Sequence, residues 1–455
     1  MKIAVVGGGG FRTPVVWESI ASVSEHAGVG EVVLHDPSDG RLRRVSAVIE
    51  GLRRERGDPG PAVRTTTRLE DAIEGCGAVF CAIRVGGLEG RVVDETVPLE
   101  LGVLGEETVG PGGIAFALRT VPVVTSIARA VVDRAPDAWF LNFTNPAGLV
   151  TESIQPVLGD RVVGVCDSPA ALCARVAAAL ARPMDSLRFE YGGLNHLGWL
   201  TGVREDGQDL LLELLRDEGR LSRIEEAQLF GTSALRQLRM IPNEYLVYYQ
   251  RPVEAAEAMR RAGATRAQLL LEQQSSFYET SPEASPEEAL ASWRRARDER
   301  HGTYMAEAWA TAQTAPDSVP PSVPDEGPGE AGYAAIAASF LRAVRGGPDS
   351  ILILNTANRG RLPFLDSEAV VEAPCTVGSS GPAPLGSATL QSGQRELVEQ
   401  IKEVEWLTIR AALEGSSALA LAAIAAHPFV RSHQVAERIL AGYLVGHPGL
   451  GDVLR

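Results

Sequence analysis

The chain opens with KIAVVG (2–7), a short unbroken apolar run. Four more of the same kind follow: EVVLHD (31–36), AVFCAI (78–83), AWFLNFT (138–144) and RVVGVC (161–166). Each is brief, continuous and rich in branched residues, the pattern of parallel strands covered on both faces. Between them VVWESIASVSEH, RLRRVSAVIEGLRRER and FALRTVPVVTSIARAVVDRA carry apolar residues at helical spacing. Strand–helix alternation predicts an α/β fold, with an N-terminal Rossmann-like doubly wound parallel sheet over residues 1–196. Right-handed crossovers place the strand ends, and any ligand, along one edge.

From about residue 197 helical segments dominate: GQDLLLELLRDEG, GTSALRQLRM and SPEEALASWRRARDERHGTYMAEAWATA. Strand-like SILILNT (350–356) and AVVEAPCTV (369–377) interrupt them, and two or more helices close the chain. The expectation is a C-terminal mixed, mainly helical α+β domain over 197–455 that serves substrate, metal and oligomerisation. Within it DSVPPSVPDEGPGE (317–330) reads as an exposed Pro-rich loop. The run ALALAAIAA (418–426) is too short for a membrane and reads as a buried helix; no apolar run reaches the roughly 18–20 residues of a span.

Composition narrows the classes. At 455 residues and 45% hydrophobic, the chain is ordinary globular material with room for more than one core. A formal net charge of −15 argues against nucleic-acid or anionic-membrane partners. Cys76, Cys81, Cys166, Cys173 and Cys375 are odd in number and show no disulfide-scaffold spacing, which predicts reduced thiols in a cytoplasmic protein. The N-terminus starts a strand at once and reads as free of a signal peptide.

The chemistry-bearing stretches come next. VVGGGGFRTP follows a strand and opens a helix, so the amides of Gly7, Gly9 and Gly10 can approach a pyrophosphate. Arg12 stands where the strict fingerprint has its third glycine. Asp36, ending the second strand, suits a ribose hydroxyl and so favours NAD over its 2′-phosphorylated form. Cys166 in GVCDSP and His196 in GLNHLGW offer a thiolate and an imidazole for a divalent metal; spacing alone favours a buried structural cysteine and a satisfied core histidine, and the surrounding motifs shift the balance. Arg84 and Arg91 stand beside acids in RVGGLEGRVVDE, and each reads as an anion clamp or as a surface ion pair. Glu107 lies in the glycine-rich LGEETVGPGG, Asn145 in NFTNPAGLVT, and three tyrosines crowd IPNEYLVYYQ.

Taken in order, these motifs, with ATRAQLLLE, LNTANRGRLP, AVVEAPC and ALAAIAAHPFV, resemble glycoside hydrolase family 4, the NAD- and metal-dependent glycosidases. VGGLEGR and GPGG look most like its 6-phospho-β-glucosidase branch. The resemblance implies Cys166 and His196 as ligands of Mn2+ or another divalent metal, and Tyr245 as the base. It also implies Arg91, Asn145, Asn195 and Arg266 as substrate-binding residues, with Arg84 and Glu107 at the cofactor. The chemistry implied is NAD-dependent oxidation at C3 of the sugar, deprotonation at C2, elimination of the aglycone, water addition and re-reduction, unlike the paired-carboxylate route of most glycosidases. Asp167 departs from the asparagine of the β-acting branch. It matches the aspartate of α-acting members, where it protonates the leaving group; a supporting hydrogen bond is its other reading. A sugar (phospho)glycoside substrate and a homodimer or homotetramer are expected. Family members acting on α-glucosides or unphosphorylated sugars remain an alternative, as does an NAD-dependent hydroxy-acid dehydrogenase.

Overall fold

A computed structural model describes residues 1–279, 284–301, 305–311, 328–386 and 388–455. Its strands are β1 (Lys2–Val6), β2 (Glu31–His35), β3 (Ala62–Thr66), β4 (Ala78–Cys81), β5 (Trp139–Asn142), β6 (Val162–Gly164), β7 (Arg188–Leu194), β8 (Leu197–Glu205), β9 (Gln208–Asp209), β10 (Ile241–Pro242), β11 (Ser350–Ala357), β12 (Val370–Gly378) and β13 (Gly381–Pro384). The first six are parallel in the order β3-β2-β1-β4-β5-β6, the doubly wound arrangement that the alternating pattern predicts. The order reverses between β1 and β4, so a crevice forms beyond their C-terminal ends.

The sheet does not stop at β6. Antiparallel β11, β12, β7, β8 and β10 continue it, with Asn355 opposite Gly164 and Glu372 opposite Gly193. Along β1 the pleat sends Ala4 and Val6 to one apolar cluster and Ile3 and Val5 to another, so each face of the sheet has its own core. On the Ile3 face, Trp293 and Phe340, from helices Pro286–His301 and Pro328–Val344, join the same cluster as Trp17 and Val45. The later part of the chain thus covers the nucleotide-type sheet.

Local chemistry explains the boundaries. Helix Asp39–Arg56 starts where the Ser38 hydroxyl accepts from Arg41 N at 3.3 Å and stops at Gly57, whose φ is 63°. The segment 207–219, expected as one helix, instead closes a hairpin. Asp206 and Gly207 (φ 48° and 83°) turn β8 into β9, and Asp209 then caps helix Leu210–Arg216 by accepting from Leu211 N at 3.1 Å. The segment 285–312 divides into helices Pro286–His301 and Ala306–Trp309; residues 302–304 and 312 lie outside the described set. Of the Pro-rich stretch, 317–327 lie outside the described residues, and 328–330 already belong to helix Pro328–Val344. Helix Ser417–Ala426 buries Ala420, Ala423 and Ile424. One helix, Pro111–Arg134, corrects the expectation about apolar runs: it is long and apolar enough to cross a membrane, but 72% of its apolar window is buried inside the molecule. It is a core helix.

Candidate active site

The crevice is a cavity of about 730 Å3. Gly7, Gly10, Arg12 and Thr13 line one end of it, and Asn145, Asp167, His196, Tyr245 and Arg266 line it further on. At the first end the turn after β1 is pinned by Gly7 N and Gly8 N, which both donate to His35 O at 2.9 and 2.7 Å. Gly7 has φ 88°, and a Cβ there would meet Ala82 O at 2.4 Å, so only glycine fits at the point where the strand order reverses. A Cβ on Gly9 would lie 2.8 Å from Asp36 Cγ. The turn and the carboxylate of Asp36 therefore touch, as a dinucleotide's pyrophosphate and ribose require. Arg12, in place of the third glycine, sits 5.2 Å over the Tyr333 ring.

At the other end, Gly164 ends β6 where a Cβ would strike Thr151 Oγ1 at 2.4 Å; Cys166 follows two residues on. His196 stands in the two-residue turn of the β7–β8 hairpin, with Leu194 opposite Leu197, and takes φ 59°. That left-handed backbone costs a histidine about 1–2 kcal/mol, and it aims the ring at the thiol. Cys166 Sγ and His196 Nε2 are 3.3 Å apart, and the two residues are 1% and 2% exposed. Burial lowers the His196 pKa to about 3, so the imidazole is neutral and keeps a lone pair. Burial raises the Cys166 thiol well above its ordinary value. The separation matches two ligands on one ion: bonds of about 2.3 Å to sulfur and about 2.1 Å to nitrogen, subtending roughly 100°, leave about this gap. Among the described residues no group of three His, Cys, Asp or Glu side chains converges as a complete site, so a metal here would take its remaining ligands from substrate or water.

Tyr245 lies flat on His196, ring centroids 3.9 Å apart and planes 3° apart. Tyr248 is buried, and Tyr249 packs on Phe429 at 5.2 Å. Asp167 ends the turn after Cys166 and precedes helix Ser168–Leu180; burial raises its carboxyl to about 7 against the pull of Arg12, and Tyr333 hydrogen-bonds it. Arg84 and Arg91 both pair with Glu107, Arg91 Nη1 at 2.8 Å, and Arg91 Nε reaches Glu95 Oε1 at 2.7 Å. Burial works to raise Glu107, but the two guanidinium groups win and hold it at about 2. Glu107 is thus a fixed anion that orients two arginines. Arg266 begins helix Arg266–Glu279 and donates to Arg300 O at 2.9 Å.

Asn195 sits behind the cavity. Its Oδ1 accepts from Ala147 N at 3.1 Å and its Nδ2 donates to Glu372 Oε1 at 3.3 Å, so both amide atoms hold the hairpin turn in place. Several cavity residues were not singled out from the sequence. Tyr278, Arg41, Tyr333, Arg300 and the Arg175–Glu225–Glu244 group all line it. Glu244 belongs to IPNEYLVYYQ, beside Tyr245; the others come from helices and reach the site by tertiary packing.

Comparison with known proteins fits this geometry. The model of family 4 glycosyl hydrolase matches residues 2–182, and that of the family 4 glycosyl hydrolase C-terminal domain matches 191–430. A probable 6-phospho-beta-glucosidase of Bacillus subtilis is 30% identical, with 98% of this chain and 96% of that one covered. A maltose-6'-phosphate glucosidase of the same organism is 27% identical over 91% of this chain and 88% of its own. A 6-phospho-beta glucosidase from Thermotoga maritima, solved with manganese, NAD+ and glucose-6-phosphate, superposes with a TM-score of 0.83 at 26% identity, covering 100% of this chain and 99% of that chain. A malate dehydrogenase from Plasmodium falciparum shares the fold alone, with a TM-score of 0.50 at 13% identity over 91% of this chain and 99% of its own, and the dehydrogenase alternative is set aside. The relatives include both α- and β-acting 6-phosphoglucosidases. With both family models matched in order along the same cavity, the chain belongs to glycosyl hydrolase family 4.

Proposed function

We propose that this chain is a 6-phospho-β-glucosidase that works with NAD+ and a divalent metal such as Mn2+. The observation that carries the reading is the Cys166–His196 pair, 3.3 Å apart, whose histidine stacks on the Tyr245 ring and lines an arginine-bearing cavity continuous with the glycine turn. The manganese, NAD+ and glucose-6-phosphate held by the Thermotoga neighbour support it. Gly7, Gly9, Gly10 and Asp36 would hold the dinucleotide, and Cys166 and His196 the ion. Bound there, the two supply a reversible hydride acceptor and a Lewis acid, which together make the sugar C2 proton acidic.

The protein's own groups do the rest. The Tyr245 hydroxyl takes the C2 proton, its ring held in place by the His196 face. Asp167, half-buried at the cavity wall, carries the proton that the glycosidic oxygen needs as it leaves. Arg91 and Arg266 face the 6-phosphate, and Glu107 keeps Arg91 and Arg84 extended toward the cavity. Asn145 meets sugar hydroxyls, while Asn195 fixes the turn that presents His196. All five cysteines are unpaired and buried, in keeping with a reducing cytoplasm as the setting.

A second reading, hydrolysis of 6-phospho-α-glucosides, is favoured by one residue, Asp167 beside the metal cysteine. The test is a panel of α- and β-nitrophenyl glucosides, with and without a 6-phosphate, assayed with NAD+, Mn2+ and reductant. Release from the β-6-phosphate compound alone, with no accumulating NADH, is expected. Release from the α compound alone transfers the assignment to the second reading. NADH rising in step with product refutes both.

A further inference from the structure

Helix Arg266–Glu279 presents a single stripe to the cavity. Arg266, Leu270, Gln274 and Tyr278, each four residues apart, all line it. At about 1.5 Å per residue the stripe is about 18 Å long, so one rigid element runs from one end of the site to the other.

Its ends meet different things. At the C-terminal end the Tyr278 hydroxyl donates to Gly9 O at 2.8 Å, and the Arg41 guanidinium lies 4.4 Å over the Tyr278 ring. Asp36 and Arg41 both border Gly9, where an added Cβ would be 2.8 Å from Asp36 Cγ and Arg41 Cβ alike. A recess of about 150 Å3, lined in part by Arg41, Leu88, Gln274 and Tyr278, opens beside them. The packing beneath is firm: Phe11 and Phe277 meet edge to face at 5.5 Å, and Arg44 Nε donates to Phe277 O at 3.0 Å. At the N-terminal end, Ala267 N donates to Glu95 Oε2 at 2.8 Å, and Glu95 in turn holds Arg91, which pairs with Glu107. The helix is therefore hydrogen-bonded at one end to the glycine turn and at the other to the arginine–glutamate group.

We propose that this helix couples the two ligands of the site. The Tyr278 ring and the Arg41 guanidinium over it, beside Asp36, seat the adenosine half of the dinucleotide. Docking of the helix on that seat sets Arg266 and Arg91 for an anionic sugar phosphate, so the two ligands bind with positive cooperativity. The inference rests on the cofactor and 6-phosphosugar reading given above. Coupling of this kind is reciprocal: each ligand tightens the other by the same factor.

Calorimetric titration of the Mn2+-loaded, reduced protein tests it with NAD+ and glucose 6-phosphate, a pair with no glycosidic bond to cleave. Saturating glucose 6-phosphate is expected to lower the Kd of NAD+ by about fivefold or more, with the same factor in the reverse titration. Tyr278→Phe keeps the ring and loses the bond to Gly9. It is expected to reduce that factor by about threefold, the scale of one hydrogen bond. A factor of one in the wild-type protein with both ligands bound, or an undiminished factor in Tyr278→Phe, overturns the coupling. Failure of the wild-type protein to bind NAD+ or glucose 6-phosphate at all overturns the underlying reading, and the coupling with it.

Discussion

Of the tyrosines in IPNEYLVYYQ, Tyr245 has its ring on the imidazole of His196, whereas Tyr248 lies behind it, ring centroids 6.1 Å apart, and Tyr249 packs on Phe429. That stacking is what singles out Tyr245 as the proposed base. Tyr245→Phe is expected to lower kcat by roughly 10²–10⁴ and to stop deuterium entering C2 of the product in D2O, with NAD+ affinity unchanged. An equal loss from Tyr249→Phe would move the base. Cys166, His196, Asp167 and Tyr245 were legible as candidates because each lies inside a local motif, and the fold brings them to one place. Asn195 was legible as part of its motif, but its two amide bonds to Ala147 and Glu372 are not, because Glu372 lies far along the chain. Tyr278 and Arg41 are separated by more than half the chain and carry no shared pattern, so only the folded molecule brings them together.

At the scale of elements, the strands with continuous apolar runs were the ones the sequence revealed. β3 was not among them: AVRTT lies at the edge of the sheet, half-exposed along its length, so it has no apolar run to read. β7 and β8 were hidden for another reason. Their glycines Gly192, Gly193, Gly198 and Gly202 dilute the apolar pattern, and close packing requires at least Gly193, where a Cβ would meet Leu197 O at 2.2 Å. The β1 turn makes the sharper demand. Gly7→Ala combines a positive φ, worth about 1–2 kcal/mol, with a 2.4 Å approach to Ala82 O. The variant is expected to lose NAD+ binding in the same calorimetric titration, and to melt at lower temperature. Unchanged affinity would show that the turn does not meet the dinucleotide.

For the whole molecule, a single sheet joins the nucleotide-type strands to those of the later half, and helices from that half cover the earlier one. Heat is expected to unfold the chain in one transition, seen alike by circular dichroism and tryptophan fluorescence. That transition has a pH dependence with a traceable source. His427 is buried; its Nε2 donates to Val109 O at 3.0 Å and its Nδ1 accepts from Phe429 N at 3.2 Å, so it is held neutral and its pKa falls from 6.5 to about 4. A folded pKa below the unfolded one means stability that is present above pH 6.5 and lost as the pH falls toward about 4, on the order of 3 kcal/mol in all. Melting temperatures between pH 7.5 and 4.5 should drop less steeply in His427→Gln than in the parent; parallel curves would exclude this source. The seam between β6 and β11, where Gly164 faces Asn355, has a practical meaning for anyone recombining this chain with a relative. A fragment cut at the apparent boundary between the two portions would keep the cysteine and its histidine but strip β11 from β6, which then becomes an open edge, a template for aggregation. Any single crossover between Gly164 and Asn355, the surface turn Asp206–Gly207 included, draws the two sides of that seam from different parents, so a crossover that leaves the seam to one parent has to fall outside 164–355.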